Sequence, residues 1–227
     1  MILTGNDLLQ LETTIGNREI VGLGEGTHGT KEFNLIRSDI SKALIENRDF
    51  DYVLIENSFG GTADLNDLLK TSINKEQLKD ALKANFIAIY QNQEVLDFIN
   101  WLYDFRKMSG RDINIVGIDY AEINQAYQQF ERTIGNKKAV DGELSKLKEI
   151  AEFQDDLWNG RNSDRKEWFK KCLEGYHIVE GLFTRKDLKV SDSTMFNLSL
   201  LNMKLNFETV KKYADTKKIC RAIVQWQ

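Results

Sequence analysis

An acid and a base stand three residues apart in a glycine-rich segment near the N-terminus. Glu25 and His28 lie between Gly22 and Thr30, where four of nine residues are glycine. Glycine adopts backbone conformations that other residues avoid, so a sharp turn is expected here. A carboxyl group beside an imidazole supplies the groups needed for general acid–base catalysis.

Two further acids follow segments that the sequence predicts to be strands. Runs of β-branched and apolar residues predict three buried strands, at about Glu19 to Leu23, Tyr52 to Ile55 and Ile113 to Ile118. Glu56 follows the second of these strands and Asp119 the third. Because parallel strands end at the same edge of a sheet, we expect Glu25, His28, Glu56 and Asp119 to surround one pocket.

The same acids allow other interpretations. Clustered carboxylates raise the pKa of at least one member, but an acid after a strand also caps the next helix, as Asp119 would before Ala121. Imidazole and carboxylate ligands suit zinc or manganese. The spacing does not require a metal, so we expect no cofactor and leave a divalent metal open.

The elements that must position these side chains form a βαβ pattern followed by helices. Helical periodicity predicts helices at about Asp7 to Ile15, Lys31 to Asn47, Thr62 to Lys70, Lys75 to Ala88 and Asn92 to Met108, with further helices from about Glu122 to Ala214. The predicted fold is therefore α/β, a parallel sheet core with βαβ crossovers and an appended helical region. Residues 1–120 would form the α/β core and residues 121–227 the helical region, ending in a strand that begins at Ile219 and runs to Trp226.

Several side chains outside the acid cluster are also assigned. Tyr90 and Glu94 are expected at the mouth of the pocket, Trp101 in the core, and His177 on the surface or in a satisfied core position. The predicted buried positions of the helical region are Trp158, Trp168, Phe169, Leu173, Leu182 and Phe183.

Composition and motifs exclude several classes of function. A net charge of −4 and a pI near 5.4 argue against nucleic acid as a partner. No apolar run reaches the roughly 20 residues that span a bilayer. The first residues lack the basic start and apolar core of a signal peptide, so we expect a cytoplasmic protein that acts on a small molecule. Gly24 to Gly29 matches the dinucleotide pattern G-x-G-x-x-G, with Glu56 placed for a ribose, but Glu25 would repel a pyrophosphate.

The residues from Gly22 to Phe33 resemble the signature of the erythromycin esterase family. Tyr52 to Glu56 is similar to the second strand of that family with its functional glutamate, and Gln93 to Leu102 and Val116 to Asp119 resemble its following helix and strand end. The resemblance covers about Arg18 to Tyr120.

The resemblance implies a hydrolase that opens macrolide lactones with activated water, a role connected with antibiotic resistance. His28 would be the general base, and Glu25 and Glu56 would orient the water and the histidine. Asp119, Tyr90, Glu94 and Thr27 would bind substrate or support the site. Other members of the family carry names such as succinoglycan biosynthesis protein.

This sequence departs from the family after Tyr120. The family carries a later strand, of the form Trp-Ala-His-Asn, with a further histidine after it, and nothing here matches that segment. We therefore expect a chain that is cut short, with weak or absent hydrolysis. A protein that binds a small molecule without turnover is the alternative, and a dinucleotide-binding enzyme is a more distant one.

Overall fold

The chain folds as two compact units. A computed structural model describes residues 3–24, 26–28, 30–71 and 74–214. The first unit comprises residues 1–57 and 61–118, and the second comprises residues 58–60 and 119–227.

The described residues are mainly helical, with one small sheet. The strands are β1 (Tyr52–Ser58) and β2 (Asn114–Asp119). The helices are α1 (Gly5–Ile15), α2 (Lys31–Arg48), α3 (Phe59–Leu69), α4 (Lys75–Asn85), α5 (Gln93–Ser109), α6 (Ile123–Thr133), α7 (Asp141–Trp158), α8 (Arg165–Phe183) and α9 (Ser193–Ala214). Short 3-10 helices cover Ala88–Tyr90 and Lys137–Val140. The sheet is therefore smaller than the parallel core that the sequence predicts.

Strands β1 and β2 are parallel neighbours, as expected for the second and third predicted strands. The Asn114 amide donates to the Asp51 carbonyl at 2.8 Å, which sets their register. Ile113 and Ile115 are fully buried, and Val53 and Ile55 pack against the same core. These branched side chains therefore fix which face of the sheet meets the helices.

The prediction of a first strand at Glu19 to Leu23 is wrong. Among the described residues the sheet contains β1 and β2 only. Val21 and Leu23 pack against a small cluster around Ile40 and Leu44, while Ile20 is 83% exposed. The alternating burial of these side chains comes from packing alone, because the segment has no hydrogen-bonded neighbouring strand among the described residues.

The core of the first unit positions β1. Helices α2 to α5 surround a cluster that includes Ile45, Ile99 and Leu102, all buried. Arg111 donates to the Ile45 carbonyl at 2.6 Å and to the Asp51 carboxylate at 2.9 Å. One guanidinium therefore ties the last turns of α2 to the start of β1, because its planar fork bonds several acceptors at once.

Helices α6 to α9 form the core of the second unit, as the periodicity predicts. Buried residues of α6 recur at three- and four-residue intervals, as an amphipathic helix requires; they are Ile123, Ala126, Tyr127 and Phe130. Trp168 and Leu182 are buried as expected, and Phe169 and Leu173 are partly buried.

Two predictions of burial are wrong. Trp158 is 51% exposed and Phe183 is 39% exposed. Each is the last residue of its helix, α7 or α8. Side chains in a helix point back toward its N-terminus, and the last turn has fewer packing neighbours, so periodicity overstates burial there.

Two further expectations concern the ends of the chain and the membrane. The predicted terminal strand, Ile219 to Trp226, lies outside the described residues. Within the described part of the chain, every helix is too short or too polar to cross a bilayer.

Candidate functional site

A cavity of about 470 Å³ lies within the first unit, between β1, α2, α5 and the glycine-rich segment. Its size is typical of pockets that hold small organic ligands, roughly 300–1,000 Å³. Apolar side chains form much of the lining, among them Val53, Ile55, Phe86, Phe98 and Ile99.

His28 lines this cavity from the turn that precedes α2. Its side chain is exposed, as is that of Thr27, whose hydroxyl lies 2.6 Å from the Thr30 hydroxyl. A Cβ at Gly26 would lie 3.3 Å from the Phe33 ring, so the turn approaches the first turn of α2 closely. Glycine at this position lets the chain pass the ring and reach His28.

Glu56 lines the same cavity from β1 and is partly buried. The next residue, Asn57, is fully buried and bonds the backbone on both sides of Phe86. Its amide donates to the Asn85 carbonyl at 3.0 Å and accepts from the Ile87 amide at 2.9 Å. These two bonds fix the end of β1, and with it the backbone that carries Glu56.

Tyr90 lies at the end of a short 3-10 helix, is buried, and also lines the cavity. Glu94 instead forms an ion pair with Lys31 at 3.4 Å, which joins the first turns of α5 and α2. The side chain of Glu94 is only 13% exposed, against 67% for Lys31. An acid in the first turn of a helix is favoured by the helix dipole, so this position of Glu94 also stabilises α5.

The two other acids of the predicted cluster are Glu25 and Asp119. Glu25 lies outside the described residues, and Asp119 belongs to the second unit. The Asp119 carboxylate accepts from the Ala121 amide at 2.8 Å, in the turn before α6, whose N-cap residue is Glu122 and not Asp119. Groups of three or more metal-ligating side chains are not found among the described residues.

Four polar residues of α2 line the cavity and were not identified from the sequence; they are Asn34, Arg37, Ser38 and Ser41. Arg37 donates to the side-chain oxygen of Asn34 at 2.6 Å, and Asn34 is 5% exposed. Spacings of three and four residues place all four on one face of the helix. This polar stripe beside the apolar positions of α2 is a signal that could have found them.

Acids in the second unit have perturbed protonation. Burial raises the pKa of Glu122, and the nearby carboxylates of Asp119 and Asp155 raise it further. Burial also raises the pKa of Asp155, although a hydrogen bond from Asn124 opposes the shift.

His177 is exposed on α8, where its ring contacts Tyr176 edge to face at 5.7 Å.

Known proteins resemble this chain in sequence and in fold. Erythromycin esterase type I of Escherichia coli is 27% identical over 114 residues, which are 50% of this chain and 27% of that protein. A succinoglycan biosynthesis protein of known crystal structure superposes with a TM-score of 0.69 at 16% identity, covering 92% of this chain and 51% of that one. The structure of an erythromycin esterase mutant in its open conformation superposes with a TM-score of 0.63 at 21% identity. This superposition covers 92% of this chain and 54% of that one.

The chain thus spans about half the length of these solved structures and about a quarter of the curated relative. The sequence model of the erythromycin esterase family matches residues 45–221. The match begins after the glycine-rich segment and extends through α6 to α9, well past the region of resemblance noted in the sequence. The chain belongs to the erythromycin esterase family.

Proposed function

We propose that this chain is a hydrolase of carboxylic esters or lactones that uses His28 to activate water. The observation that carries the proposal is the placement of His28 and Glu56 on one cavity of about 470 Å³ in a member of the erythromycin esterase family. Relatives named as esterases support the same class of reaction.

In this mechanism His28 takes a proton from water as the water attacks the ester carbonyl. The imidazole then returns the proton to the leaving alkoxide, which releases an alcohol and a carboxylic acid. Glu56 holds the imidazole or the water in position, since a carboxylate accepts hydrogen bonds from either. Glu25 is assigned the same orienting role, and Tyr90 provides an aromatic wall for the substrate.

The test is an ester panel, from p-nitrophenyl acetate to a macrolide lactone, with wild type, His28→Ala and Glu56→Gln. Loss of a general base typically lowers the rate about a hundred- to ten-thousand-fold, so we expect His28→Ala to abolish turnover and Glu56→Gln to reduce it. His177→Ala, a change on the exposed surface of α8, is the matched control and should leave the rate unchanged.

Two outcomes contradict the proposal. Equal rates for wild type and His28→Ala would show that the hydrolysis does not depend on this imidazole. Absence of turnover across the panel, with saturable binding of the same esters, would favour a binding protein instead.

A further inference from the structure

Strand β1 presents one free edge. The bond from the Asn114 amide to the Asp51 carbonyl directs the peptide groups of residues 51, 53 and 55 toward β2. Successive residues of a strand alternate in direction, so the amides and carbonyls of Tyr52, Leu54 and Glu56 point away from β2. Across the described residues, these peptide groups have no backbone partner outside the sheet.

The other edge of the sheet is closed by helix α3. The Asn66 side chain donates to the Ile115 carbonyl at 2.7 Å and accepts from the Ile115 amide at 3.0 Å. The Thr62 hydroxyl accepts from the Gly117 amide at 2.8 Å. Side chains of a helix therefore occupy the positions that a neighbouring strand would take, and among residues 3–24, 26–28, 30–71 and 74–214 the open edge of the sheet is that of β1.

The cavity follows that open edge. Every residue from Tyr52 to Glu56 lines it, although neighbouring side chains of a strand point to opposite faces. A cavity that touches all of them must run along the backbone. Val21, Leu23 and Gly24, which belong to no strand, also line the space, and we refer to it below as the slot.

The volume of the slot matches that of a short strand. A residue in a sheet occupies about 3.3 Å along the strand, about 4.8 Å between strands and about 10 Å through the layer, or roughly 160 Å³. A volume of about 470 Å³ therefore holds an extended chain of about three residues. Three free peptide groups, at Tyr52, Leu54 and Glu56, belong to the residues that line it.

We propose that the slot binds an extended, peptide-like chain that pairs with β1, and that the substrate is an ester carried by such a chain. The substrate class rests on the proposed function, whereas the pairing does not. Main-chain hydrogen bonds to a free strand edge are a general mode of peptide recognition. The apolar lining at Phe98 and Ile99 favours an apolar side chain on the ligand, and Glu56 and His28 place the ester at the carboxyl end of β1.

The probe is a Val-Thr-Val tripeptide with an acetyl group at one end and a methylamide at the other. Titrated into ¹⁵N-labelled protein, it should shift the amide signals of Tyr52, Leu54 and Glu56 more than those of Val53 and Ile55. The same tripeptide with N-methylated amides keeps its side chains but loses its donors, and it should bind at least tenfold more weakly.

Leu54→Pro removes one donor from the free edge. Proline is tolerated on an edge strand where its missing N–H faces outward, and the Leu54 side chain is 59% exposed, so the variant should fold. Its affinity for the tripeptide should fall at least tenfold. The matched variant Leu54→Ala also shortens this lining side chain but keeps the N–H, so it should bind the tripeptide at least threefold more tightly than Leu54→Pro does.

Three results overturn the inference. The first is equal binding of the plain and N-methylated tripeptides, and the second is equal affinity of Leu54→Pro and Leu54→Ala. The third is an absence of binding with the three edge amides already protected from exchange, which would assign the edge to the segment at Val21 to Gly24. Peptide binding without hydrolysis of any ester would instead contradict the proposed function alone.

Discussion

The two units of this chain differ in how their interiors are packed and in whether they contain the candidate site. The second unit packs helices α6 to α9 around one continuous core in which Leu147 and Phe207 are fully buried. The first unit has two smaller cores, a two-stranded sheet with a free edge, and the cavity that His28 and Glu56 line. The candidate site residues therefore lie in the unit whose sheet has backbone groups without a hydrogen-bonded neighbouring strand.

The largest expected effect compares two leucines that are both fully buried. Leu102 lies on α5 in the core of the first unit, and Leu147 lies on α7 in the core of the second. Leu→Ala at either position should lower the free energy of unfolding by about 2.7–5 kcal/mol, through lost apolar burial and the cavity that remains. Urea denaturation of both variants measures the two losses.

A difference in function should separate the same two variants. Leu102→Ala should also weaken ligand binding, because its helix lines the cavity at Val95, Phe98 and Ile99. Leu147→Ala should leave the affinity unchanged under folding conditions. Equal loss of affinity in both variants would show that the proposed difference between the two units is wrong.

A smaller effect is expected at Gly175, where α8 meets α9. A Cβ at this position would lie 2.6 Å from the Phe207 ring, which is fully buried. Gly175→Ala should therefore destabilise the protein by about 1–3 kcal/mol through overpacking. Thermal denaturation followed by circular dichroism measures the change.

Gly181 on the same helix provides the control. It is exposed, and a Cβ there would contact nothing within 4 Å. Gly181→Ala should stabilise the protein by about 0.4–1 kcal/mol, because the unfolded chain loses freedom and no contact is strained. If Gly175→Ala and Gly181→Ala changed the stability in the same direction, the close packing of α8 on α9 would be contradicted.

The smallest expected effect concerns pH and the second unit. Burial and the charges of Asp119 and Asp155 raise the pKa of Glu122, so the folded state holds its proton more tightly than the unfolded state does. The stability from this group is complete below the unfolded pKa and is lost as pH rises through the folded pKa. Glu122→Gln should raise the melting temperature at about pH 7, and the gain should shrink toward about pH 4.

An exposed acid tests whether burial causes that pattern. Glu174 lies on the surface of α8, so Glu174→Gln should change the melting temperature little at either pH. If Glu122→Gln raised the melting temperature equally at both pH values, the effect would come from packing and not from the protonation of Glu122.

Local patterns predicted the helices well because the contacts within a helix join residues that are three and four positions apart in the sequence. The bounds of α2 and α5 lie within one or two residues of those expected from sequence. The segment at Val21 and Leu23 has an equally good strand pattern, yet it forms no strand because pairing depends on distant residues. The free edge and the cavity could not be inferred for the same reason.

The candidate site was predicted in part. Residue types and strand ends indicated His28, Glu56 and Tyr90, which line one cavity. Arg37 and its neighbours on α2 were missed, since polar residues on one face of a helix read as a solvated surface until the facing elements are known. Asp119 is the last residue of β2, and its carboxylate accepts a hydrogen bond from the Ala121 amide.

The closed edge of β2 has a consequence for self-assembly. An open strand edge can recruit strands from other copies and begin aggregation. The Asn66 side chain carries the same donor and acceptor as a peptide group, and it satisfies the Ile115 backbone from a helix that cannot propagate a sheet. Together with the Thr62 hydroxyl, it ends the sheet on that side. Between the two described strands, addition of a further strand would therefore begin at β1, where a bound ligand would block it.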